Sequence, residues 1–336
     1  MSNLSFTSVN LWPHMKEIID EVLSEGWFDP FTVEMVKYQL ASGGKRIRPW
    51  IAVTFSRIFN GNELNALYFG TSVELIHNAS LVHDDIQDGD TTRRGQASAW
   101  KKYSMDQAIN LGDALFALAF EVFKKCELEP KRKLELMEFS MRTVGELVNG
   151  QVKEIFYRQN NLITPDEYLH LVSGKTGSLF RLACRGAVML AQNGAEAIYS
   201  DLDNIGTRLG NMFQIRDDII DVFGLKEGRP AGSDIKEGKP SILSSLVITK
   251  LTGKEKEDFI SMYFVPTKKK TKTLIKKIIK TYHDTGVVSD ALEMYMKEKD
   301  VMFSINLVKE NSYLKLFLQE LCDYLSLAIK ELYYKT

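Results

Sequence analysis

The sequence predicts an all-α protein, and three observations point to this class. Proline and glycine are sparse, at 8 and 22 of 336 residues, and the segments between them are long. These segments are rich in Leu, Ala, Ile, Met and Glu, which favour helices. Their apolar residues recur at helical rather than alternating spacing, as at Val73, Ile76 and Ala79, which can share one helical face. We therefore expect long helices around an apolar core.

The most apolar helical stretch, Leu111 to Phe120, lies in the first half of the chain, and it is short and contains Asp113. It follows a local break in the helical pattern at Asp88-Gly89-Asp90. A membrane span needs about 20 apolar residues, and charged residues within it are rare. The N-terminal segment lacks the basic region and apolar run of a signal peptide. These features predict a cytoplasmic protein without a membrane span.

Two further segments follow along the chain. Thr164-Pro165-Asp166-Glu167 predicts a helix start, because it places an N-cap threonine, a proline at the first helical position and a glutamate suited to a capping box. Phe223 to Ser241 is the longest stretch punctuated by proline and glycine. Such a segment is typical of an active-site lid, with a plain connection as the alternative.

A lysine-rich segment lies near the C-terminal third of the chain. We predict that it forms a solvated helix edge rather than a membrane or nucleic-acid patch. Its members are Lys268, Lys269, Lys270, Lys272, Lys276, Lys277 and Lys280.

Composition and charge exclude several classes of protein. The chain is 44% hydrophobic and 26% charged, which excludes disorder, collagen and a disulfide-stabilised mini-protein. Its 43 Lys and Arg against 44 Asp and Glu give a net charge of -1, so no global field attracts nucleic acid. No repeat or long linker divides residues 1–336, which predicts one domain. Cys126, Cys184 and Cys322 form no CxxC pair and are predicted to be reduced core residues.

Two aspartate triplets share the pattern DDxxD, at Asp84-Asp85-Ile86-Gln87-Asp88 and at Asp217-Asp218-Ile219-Ile220-Asp221. With 20 aspartates in 336 residues, such a triplet arises about 0.07 times by chance. On a helix the first and last Asp share a face and repel each other by about 0.2 to 0.5 kcal/mol. Mg²⁺ offsets such repulsion, since it takes oxygen ligands from one or two carboxylates and from substrate phosphates.

Basic residues lie close to the first triplet in the sequence. Gly43-Gly44-Lys45-Arg46-Ile47-Arg48-Pro49 gathers three cations in a turn that opens with glycine, and Arg93-Arg94-Gly95 follows the triplet. Arginine suits bidentate phosphate contacts, and lysine supplies a point charge. Acids and bases interleaved in this way predict a metal-bridged diphosphate site. The Gly-Gly-Lys is not a P-loop, because GxxxxGK[ST] is absent.

These segments, with SGKTGSLF, GNMFQIRDDIIDVFG and GSDIKEGKPS, resemble the ordered motifs of the trans-prenyl diphosphate synthases, the polyprenyl synthetase family, and in particular its geranylgeranyl and farnesyl diphosphate synthases. The resemblance covers about residues 40–242. It implies an all-α isoprenoid synthase fold, a single large helical bundle around a central substrate cavity. It also implies an enzyme that condenses isopentenyl diphosphate with an allylic diphosphate (dimethylallyl, geranyl or farnesyl), and a homodimer.

The resemblance assigns roles to the acidic residues. Asp84 and Asp88 bind Mg²⁺ from one side of the cavity mouth and Asp217 binds it from the other, with about three ions held together with the allylic diphosphate. The remaining members of the triplets, Asp85, Asp218 and Asp221, act in support. The metals neutralise the departing diphosphate, and a dry cavity protects the allylic cation.

The resemblance also assigns the polar and basic side chains. Contacts to isopentenyl diphosphate come from Lys45, Arg48, His77 and Arg94. Contacts to the allylic diphosphate come from Arg93, Lys175, Arg229 and Lys239; Arg229 stands where many members have lysine. Thr176 and Gln214 place oxygen dipoles near the developing cation, with Phe213 beside them. The proton is expected to leave to the bound diphosphate.

Chain length in this family depends on bulk below the first triplet. Ala79 and Ser80 are small, so the product tunnel is expected to stay open there. Further down the same face Ile76 and Val73 are medium-sized, and Phe116 and Phe120 of the next helix are candidates for a floor. We expect a product near geranylgeranyl diphosphate; alternatively, Ala79 and Ser80 only permit close helix packing.

Other functions remain open at this stage. They are a farnesyl or longer-chain synthase, a class I terpene cyclase, and a non-catalytic partner subunit of a heteromeric synthase. A cyclase would carry a second motif of the (N/D)Dxx(S/T)xxxE type, where this chain has Asp221.

Overall fold

The computed structural model describes residues 10–160, 162–191, 196–224 and 230–333. These residues are overwhelmingly helical, which confirms the predicted all-α class. In the first half of the chain the helices are α1 (Trp12–Ser24), α2 (Pro30–Ala41), α3 (Ile47–Ile58), α4 (Glu63–Asp88), α5 (Ala99–Lys102), α6 (Met105–Lys124) and α7 (Pro130–Asn160).

The remaining helices continue the same architecture. They are α8 (Pro165–Val172), α9 (Ser178–Arg181), α10 (Ala187–Met189), α11 (Tyr199–Val222), α12 (Ser233–Glu237), α13 (Ile242–Lys250), α14 (Gly253–Tyr263), α15 (Lys272–Asp284), α16 (Val287–Ser304), α17 (Asn306–Glu310) and α18 (Ser312–Tyr333). Short 3₁₀ turns lie at Glu196–Ile198 and Thr267–Lys269.

A small antiparallel hairpin interrupts the helices after α4. Its strands are β1 (Thr92–Arg93) and β2 (Gln96–Ala97). Between them Arg94 and Gly95 have φ angles of 50° and 82°, since a two-residue hairpin turn favours positive φ. The sequence offered no Asn-Gly or Asp-Gly signal here, so this hairpin was not predicted.

Helix α4 ends as the sequence predicts. The Asn62 side chain accepts from the Asn65 amide at its start, and Gly89 ends it in a left-handed conformation with φ 70°. The helix packs on α3 and α6. The first triplet therefore lies at the C-terminal end of a long, well-packed helix.

A run of helical turns from Pro165 to Met189 begins with the predicted capping box. Thr164 Oγ1 accepts from the Glu167 amide at 3.3 Å, and the Glu167 carboxylate accepts from the Thr164 amide at 2.8 Å. Two π-helical turns, Ser173–Gly177 and Leu182–Gly186, interrupt this run. Such turns are frequent at functional sites.

The described chain forms two compact units. One consists of the chain up to Val144 with Leu179–Gly206, and the other of Gly145–Ser178 with the chain from Thr207 onward. Each has its own buried aromatic residues, such as Phe69 and Phe180 in the first and Tyr263 and Phe317 in the second. The expectation of a single domain over residues 1–336 stays a prediction.

Several predictions about individual segments can be compared with the structure. All three cysteines are free and buried, as expected. No helix among the described residues is long and apolar enough to cross a membrane. Phe223 to Ser241 is not only loop, because α12 lies within it, and residues 225–229 lie outside the described residues. Its proposed movement as a lid stays a prediction.

The prediction for the lysine run was wrong at one residue. Lys268 and Lys269 are exposed, but Lys270 is only 6% exposed. Its ammonium donates to the carbonyl oxygens of Ile235 and Tyr263 at 2.7 and 2.6 Å. Burial of this lysine is thus compensated by two main-chain acceptors, 7 and 35 residues away in the sequence.

Candidate active site

The glycine-opened turn before α3 brings three basic residues of the first unit together. Gly43 and Gly44 have φ angles of 80° and 133°, and Arg46 is left-handed at 48°. A Cβ on Gly44 would lie 2.5 Å from Arg94 Nη1, and the Arg94 guanidinium donates to the Gly43 carbonyl. The glycines are therefore needed both for the backbone conformation and for the approach of Arg94.

The cations of this turn differ in their surroundings. Arg46 Nη1 lies 2.5 Å from Glu74 Oε1, and this pair is almost fully buried. Arg48 is 8% exposed, with its guanidinium 4.9 Å from the centre of the Phe180 ring. Lys45 is exposed and lines a cavity of about 280 Å³. The arrangement leaves Lys45 accessible while Arg46 stabilises the fold.

His77 on α4 lies within this basic environment. Burial lowers its pKa well below the usual value, and the charges of Arg48, Arg94, Arg46 and Arg93 lower it further. His77 is therefore neutral at physiological pH. Arg46 and Arg93 are paired with Glu74 and Asp85, and Arg48 and Arg94 also lie close enough to His77 to lower its pKa.

The first aspartate triplet follows on the same helix. Asp85 is 1% exposed and accepts from Arg93 Nε at 2.9 Å and from Arg93 Nη2. Burial alone would lower the pKa of Arg93, but its hydrogen bond to Asp85 and the charges of all three aspartates raise it. Asp84 and Asp88 are half-buried, one helical turn apart. The middle aspartate thus anchors Arg93, and the outer two keep accessible carboxylates.

The second triplet lies near the C-terminal end of α11 in the second unit. Asp218 is 4% exposed and accepts three hydrogen bonds, from Tyr168 Oη at 2.7 Å, Gln214 Nε2 at 3.0 Å and the Ile242 amide at 2.8 Å. Burial and the Asp218 charge raise the pKa of Tyr168 well above its usual value. Asp217 is 28% exposed and lies 3.4 Å from Arg216 Nη1. Here neutral donors hold the middle aspartate.

A hydrogen-bonded chain leads from this triplet to the first π-helical turn. Thr176 Oγ1 donates to Gln214 Oε1 at 3.0 Å, and Gln214 Nε2 donates to Asp218 Oδ1. The amide of Gln214 is fixed from both ends. Its oxygen and the Thr176 hydroxyl are therefore held in a defined orientation, as dipoles that stabilise a nearby cation must be.

Lys175, beside Thr176, is held by a buried carboxylate. Its Nζ lies 2.9 Å from Glu154 Oε2, and Arg158 pairs with the other Glu154 oxygen. Burial would raise the pKa of Glu154, but the charges of Lys175, Arg158 and Lys239 lower it strongly. The π-helical turn approaches α7 closely, because a Cβ on Gly150 would lie 2.5 Å from the Lys175 amide nitrogen.

The segment around α12 completes the set in the second unit. The Asp234 amide donates to Asp221 Oδ2 at 3.1 Å. Lys239 Nζ lies 2.6 Å from Glu237 Oε2 and 3.9 Å from Asp234 Oδ1. The second unit thus combines three acidic residues of one helix with two lysines, a composition suited to a metal-bound diphosphate.

The polyprenyl synthetase model matches residues 29–282, which is most of the chain and includes every motif described above. The chain belongs to the polyprenyl synthetase family.

Similar proteins cover two thirds or more of this polyprenyl synthetase. A geranylgeranyl pyrophosphate synthase of Geoglobus acetivorans is 31% identical over 314 residues, which is 93% of each chain. A geranylgeranyl diphosphate synthase of Methanosarcina mazei is 32% identical over 237 residues, 68% of this chain and 71% of that protein. The crystal structure of a geranylgeranyl pyrophosphate synthetase from Pyrococcus horikoshii matches with a TM-score of 0.78 at 28% identity, covering 94% of this chain and 97% of the other. The predicted family, fold class and prenyl diphosphate synthase activity class are confirmed.

The triplets of this polyprenyl synthetase fit the magnesium that the family resemblance implies. Asp84, Asp88 and Asp217 keep partly accessible carboxylates, whereas Asp85 and Asp218 are committed to internal hydrogen bonds. Carboxylates are hard oxygen donors, and Mg²⁺ is usually completed by substrate phosphates. In the described ranges no three acidic, histidine or cysteine side chains are arranged to hold an ion alone.

The candidate chain-length residues fall into two classes. Ser80 and Phe116 are half-buried, and Ser80 lies one turn before Asp84. Ala79 and Ile76 are fully buried. Their roles in product length stay predictions.

Some residues of the site could not be assigned as the sequence suggested. Arg229 lies outside the described residues. The pairing of Arg46 with Glu74 was not predicted, since 28 positions separate the two. The contact between Glu154 and Lys175 was not predicted either, because the 21 positions that separate them gave no signal of it.

Proposed function

We propose that this polyprenyl synthetase is a trans-prenyltransferase that condenses isopentenyl diphosphate with an allylic diphosphate. One observation carries the proposal. In each aspartate triplet the middle carboxylate is buried in hydrogen bonds while at least one other stays accessible. Two such triplets, each accompanied by fixed cations, suit a reaction that must bind and ionise a diphosphate.

Asp84, Asp88 and Asp217 are the proposed metal-binding residues. Bound with the allylic diphosphate, about three Mg²⁺ ions would neutralise the charge that develops on the leaving diphosphate. Carboxylates near the C-terminal end of a helix face the negative end of the helix dipole. The helix dipole disfavours carboxylates at such a position, which supports a functional reason for the triplets.

Lys45, Arg48, His77 and Arg94 are proposed to bind the diphosphate of isopentenyl diphosphate. Besides burial, the charges of Arg48 and Arg94 lower the pKa of His77, so these three side chains lie near one another, which supports this assignment. Because His77 is neutral, it would contribute a hydrogen bond rather than a charge.

Lys175, Lys239 and Arg229 are proposed to bind the allylic diphosphate, and a contact from Arg93 stays a prediction. The charges of Lys175, Arg158 and Lys239 all act on Glu154. This grouping of cations supports binding of an anion.

Thr176 and Gln214 are proposed to stabilise the allylic cation. The hydroxyl hydrogen of Thr176 is used by Gln214, so its lone pairs remain for a cation. No step of this scheme needs a side-chain base, since the proton would leave to the bound diphosphate.

We infer a product near geranylgeranyl diphosphate. Ser80 lies on the face of α4 that carries Asp84 and keeps some accessible surface, so a growing chain has room beside it. The relatives described above carry the name of this product. Ala79 is fully buried, so its small size also serves helix packing.

The chain is also proposed to self-associate, through α7. A stripe of large apolar side chains on this helix is exposed: Leu134 by 57%, Met141 by 56%, Val148 by 50%, and Val152 and Phe156 by 60% each. Exposed apolar stripes of this kind mark interaction surfaces, and a homodimer is the commonest closed assembly. Light scattering on Met141→Lys should show a smaller species than Leu327→Lys, a control at an exposed leucine of α18; equal masses would contradict it.

The function is tested by turnover with labelled isopentenyl diphosphate and each of three starters, dimethylallyl, geranyl and farnesyl diphosphate, in Mg²⁺ or EDTA. The products are dephosphorylated and resolved by chain length. We expect a Mg²⁺-dependent series that ends at the C20 alcohol. A hydrocarbon product would indicate a cyclase, a series ending at another length would overturn the product inference, and no extension by folded protein would indicate a non-catalytic subunit.

A further inference from the structure

Lys270 differs from every other lysine of its run, because its side chain turns into the second unit. It is 6% exposed, and its ammonium donates to Tyr263 O at 2.6 Å and Ile235 O at 2.7 Å. It also lies 5.2 Å from the centre of the Tyr263 ring. Burying an ammonium is costly unless its hydrogens are bonded, so these acceptors define the position of Lys270.

The two residues whose carbonyl oxygens accept from Lys270, Ile235 and Tyr263, both contact or belong to the segment that carries Lys239. Ile235 belongs to α12, and Gly238 follows that helix in a left-handed conformation with φ 74°. A Cβ on Gly238 would lie 3.7 Å from Lys270 Nζ. The ammonium therefore rests against the turn through which the chain passes from α12 to Lys239.

Tyr263 binds the same segment at a second point. Its hydroxyl donates to the Lys239 carbonyl at 2.5 Å, while its own carbonyl accepts from Lys270. The backbone of residues 235–239 is thus held at two points, by Lys270 at Ile235 and by Tyr263 at Lys239. We call Lys270, Tyr263 and these two carbonyl contacts the lysine clamp.

The lysine clamp lies next to contacts of the candidate active site. Lys239 Nζ pairs with Glu237, and the Asp234 amide donates to Asp221 of the second triplet. A shift of the backbone at Ile235 or Lys239 would displace both the Lys239 ammonium and the support of Asp221.

We propose that Lys270 is a positioning residue that fixes Lys239 for the allylic diphosphate through the lysine clamp. The proposal rests on the proposed function, since Lys239 is there assigned to that substrate. Lysine suits this position because its ammonium has three hydrogens and can donate to two carbonyls at once. An apolar residue of the same length would fill the space but leave both carbonyls without this donor.

Lys270→Met tests the proposal against Lys269→Met, a matched control at the exposed neighbour. We expect Lys270→Met to raise KM for the allylic diphosphate about tenfold, as loss of hydrogen bonds to a charged group would. KM for isopentenyl diphosphate should stay within about twofold, and Lys269→Met should match the wild type in both. Equal changes in the two KM values, or none, would overturn the proposal.

Hydrogen exchange tests the lysine clamp without turnover. The Gly238 and Lys239 amides donate to Ile235 O and Asp234 O, and their exchange should speed up at least about tenfold in Lys270→Met. Unchanged exchange would show that the clamp does not hold this segment. If the wild type proves inactive, the proposed function fails while this measurement still decides the clamp.

Tyr263→Phe serves if Lys270→Met does not fold. It removes the bond to the Lys239 carbonyl and leaves the Tyr263 carbonyl for Lys270. We expect a smaller rise in KM for the allylic diphosphate and the same faster exchange at Lys239. A wild-type KM and exchange rate in this variant would overturn the proposal.

Discussion

The two aspartate triplets have the same sequence pattern but are stabilised differently. Both lie at or near the C-terminal end of a long helix, and both bury the middle aspartate, Asp85 to 1% and Asp218 to 4% exposure. Asp85 is bound by the guanidinium of Arg93. Asp218 accepts hydrogen bonds from the Tyr168 hydroxyl, the Gln214 side-chain amide and the Ile242 main-chain amide.

The comparison distinguishes the features that both triplets share from those that differ between them. The accessible carboxylates are common to both triplets, which is what binding of a metal and a diphosphate requires. The groups that bind the buried middle carboxylate differ between the two triplets. Arg93 binds the first middle carboxylate through two donors, so its removal takes away a charge and two hydrogen bonds at once. Loss of any one of the three donors described for the second removes a single neutral hydrogen bond.

The largest expected effect is on catalysis, where the triplets should be equivalent. Asp84→Asn and Asp217→Asn should each lower turnover on the order of 100-fold or more, because each removes a proposed metal ligand. Asp300→Asn, at an exposed position of α16, is the control. Thermal unfolding should show that both variants stay folded at the assay temperature, so that the loss of turnover reflects the missing carboxylate. Wild-type turnover in either Asp84→Asn or Asp217→Asn would show that the two triplets do not contribute equally to catalysis.

A second prediction concerns stability, where the triplets should differ. Arg93→Met should lower the free energy of unfolding by about 3 to 5 kcal/mol, because it removes the charged partner of a buried carboxylate. Tyr168→Phe should cost only about 1 to 3 kcal/mol, since two donors to Asp218 remain. Urea denaturation measures both, with Arg57→Met at an exposed ion pair with Glu63 as the control near zero. A larger cost for Tyr168→Phe would reverse the comparison.

A third prediction concerns pH in the second unit, where Glu154 balances nearby cations. Its pKa is lowered in the folded protein by Lys175, Arg158 and Lys239 against the opposing effect of burial. A lowered carboxyl pKa stabilises the fold above the unfolded value of about 4.3, and this stability is lost as pH falls towards the folded pKa. Glu154→Gln should therefore be less stable by about 2 to 3 kcal/mol at neutral pH, and the gap should narrow below about pH 4. A stability difference between Glu154→Gln and the wild type that does not change with pH would show that it does not arise from the lowered pKa of Glu154.

The smallest expected effect is on product length, and it should differ between the two residues that lie one turn before the triplets. Ser80 precedes Asp84 by four positions, and the aromatic Phe213 precedes Asp217 by four. Ser80→Phe should move the main product at least one isoprene unit shorter, whereas Phe213→Tyr should leave its length unchanged. Chromatography of the dephosphorylated alcohols measures this. An unchanged product of Ser80→Phe would contradict the proposed tunnel beside α4.

Local patterns predicted the fold class, the triplets and the capping box at Thr164, because helix periodicity and capping act within a few residues. Features that depend on distant contacts were not predictable. Lys270 is indistinguishable in sequence from its exposed neighbours, and only the carbonyls of Ile235 and Tyr263 explain its burial. The support of Lys175 by Glu154 likewise depends on how α7 meets the π-helical turn.

The most direct test of this account counts divalent ions. Mn²⁺ binding, followed by electron paramagnetic resonance with farnesyl thiodiphosphate present, should show about three ions per wild-type chain. Asp84→Asn and Asp217→Asn should each bind fewer ions, with Asp300→Asn unchanged. The same number of ions in the wild type and in either triplet variant would contradict the claim that both triplets hold the metal with the diphosphate.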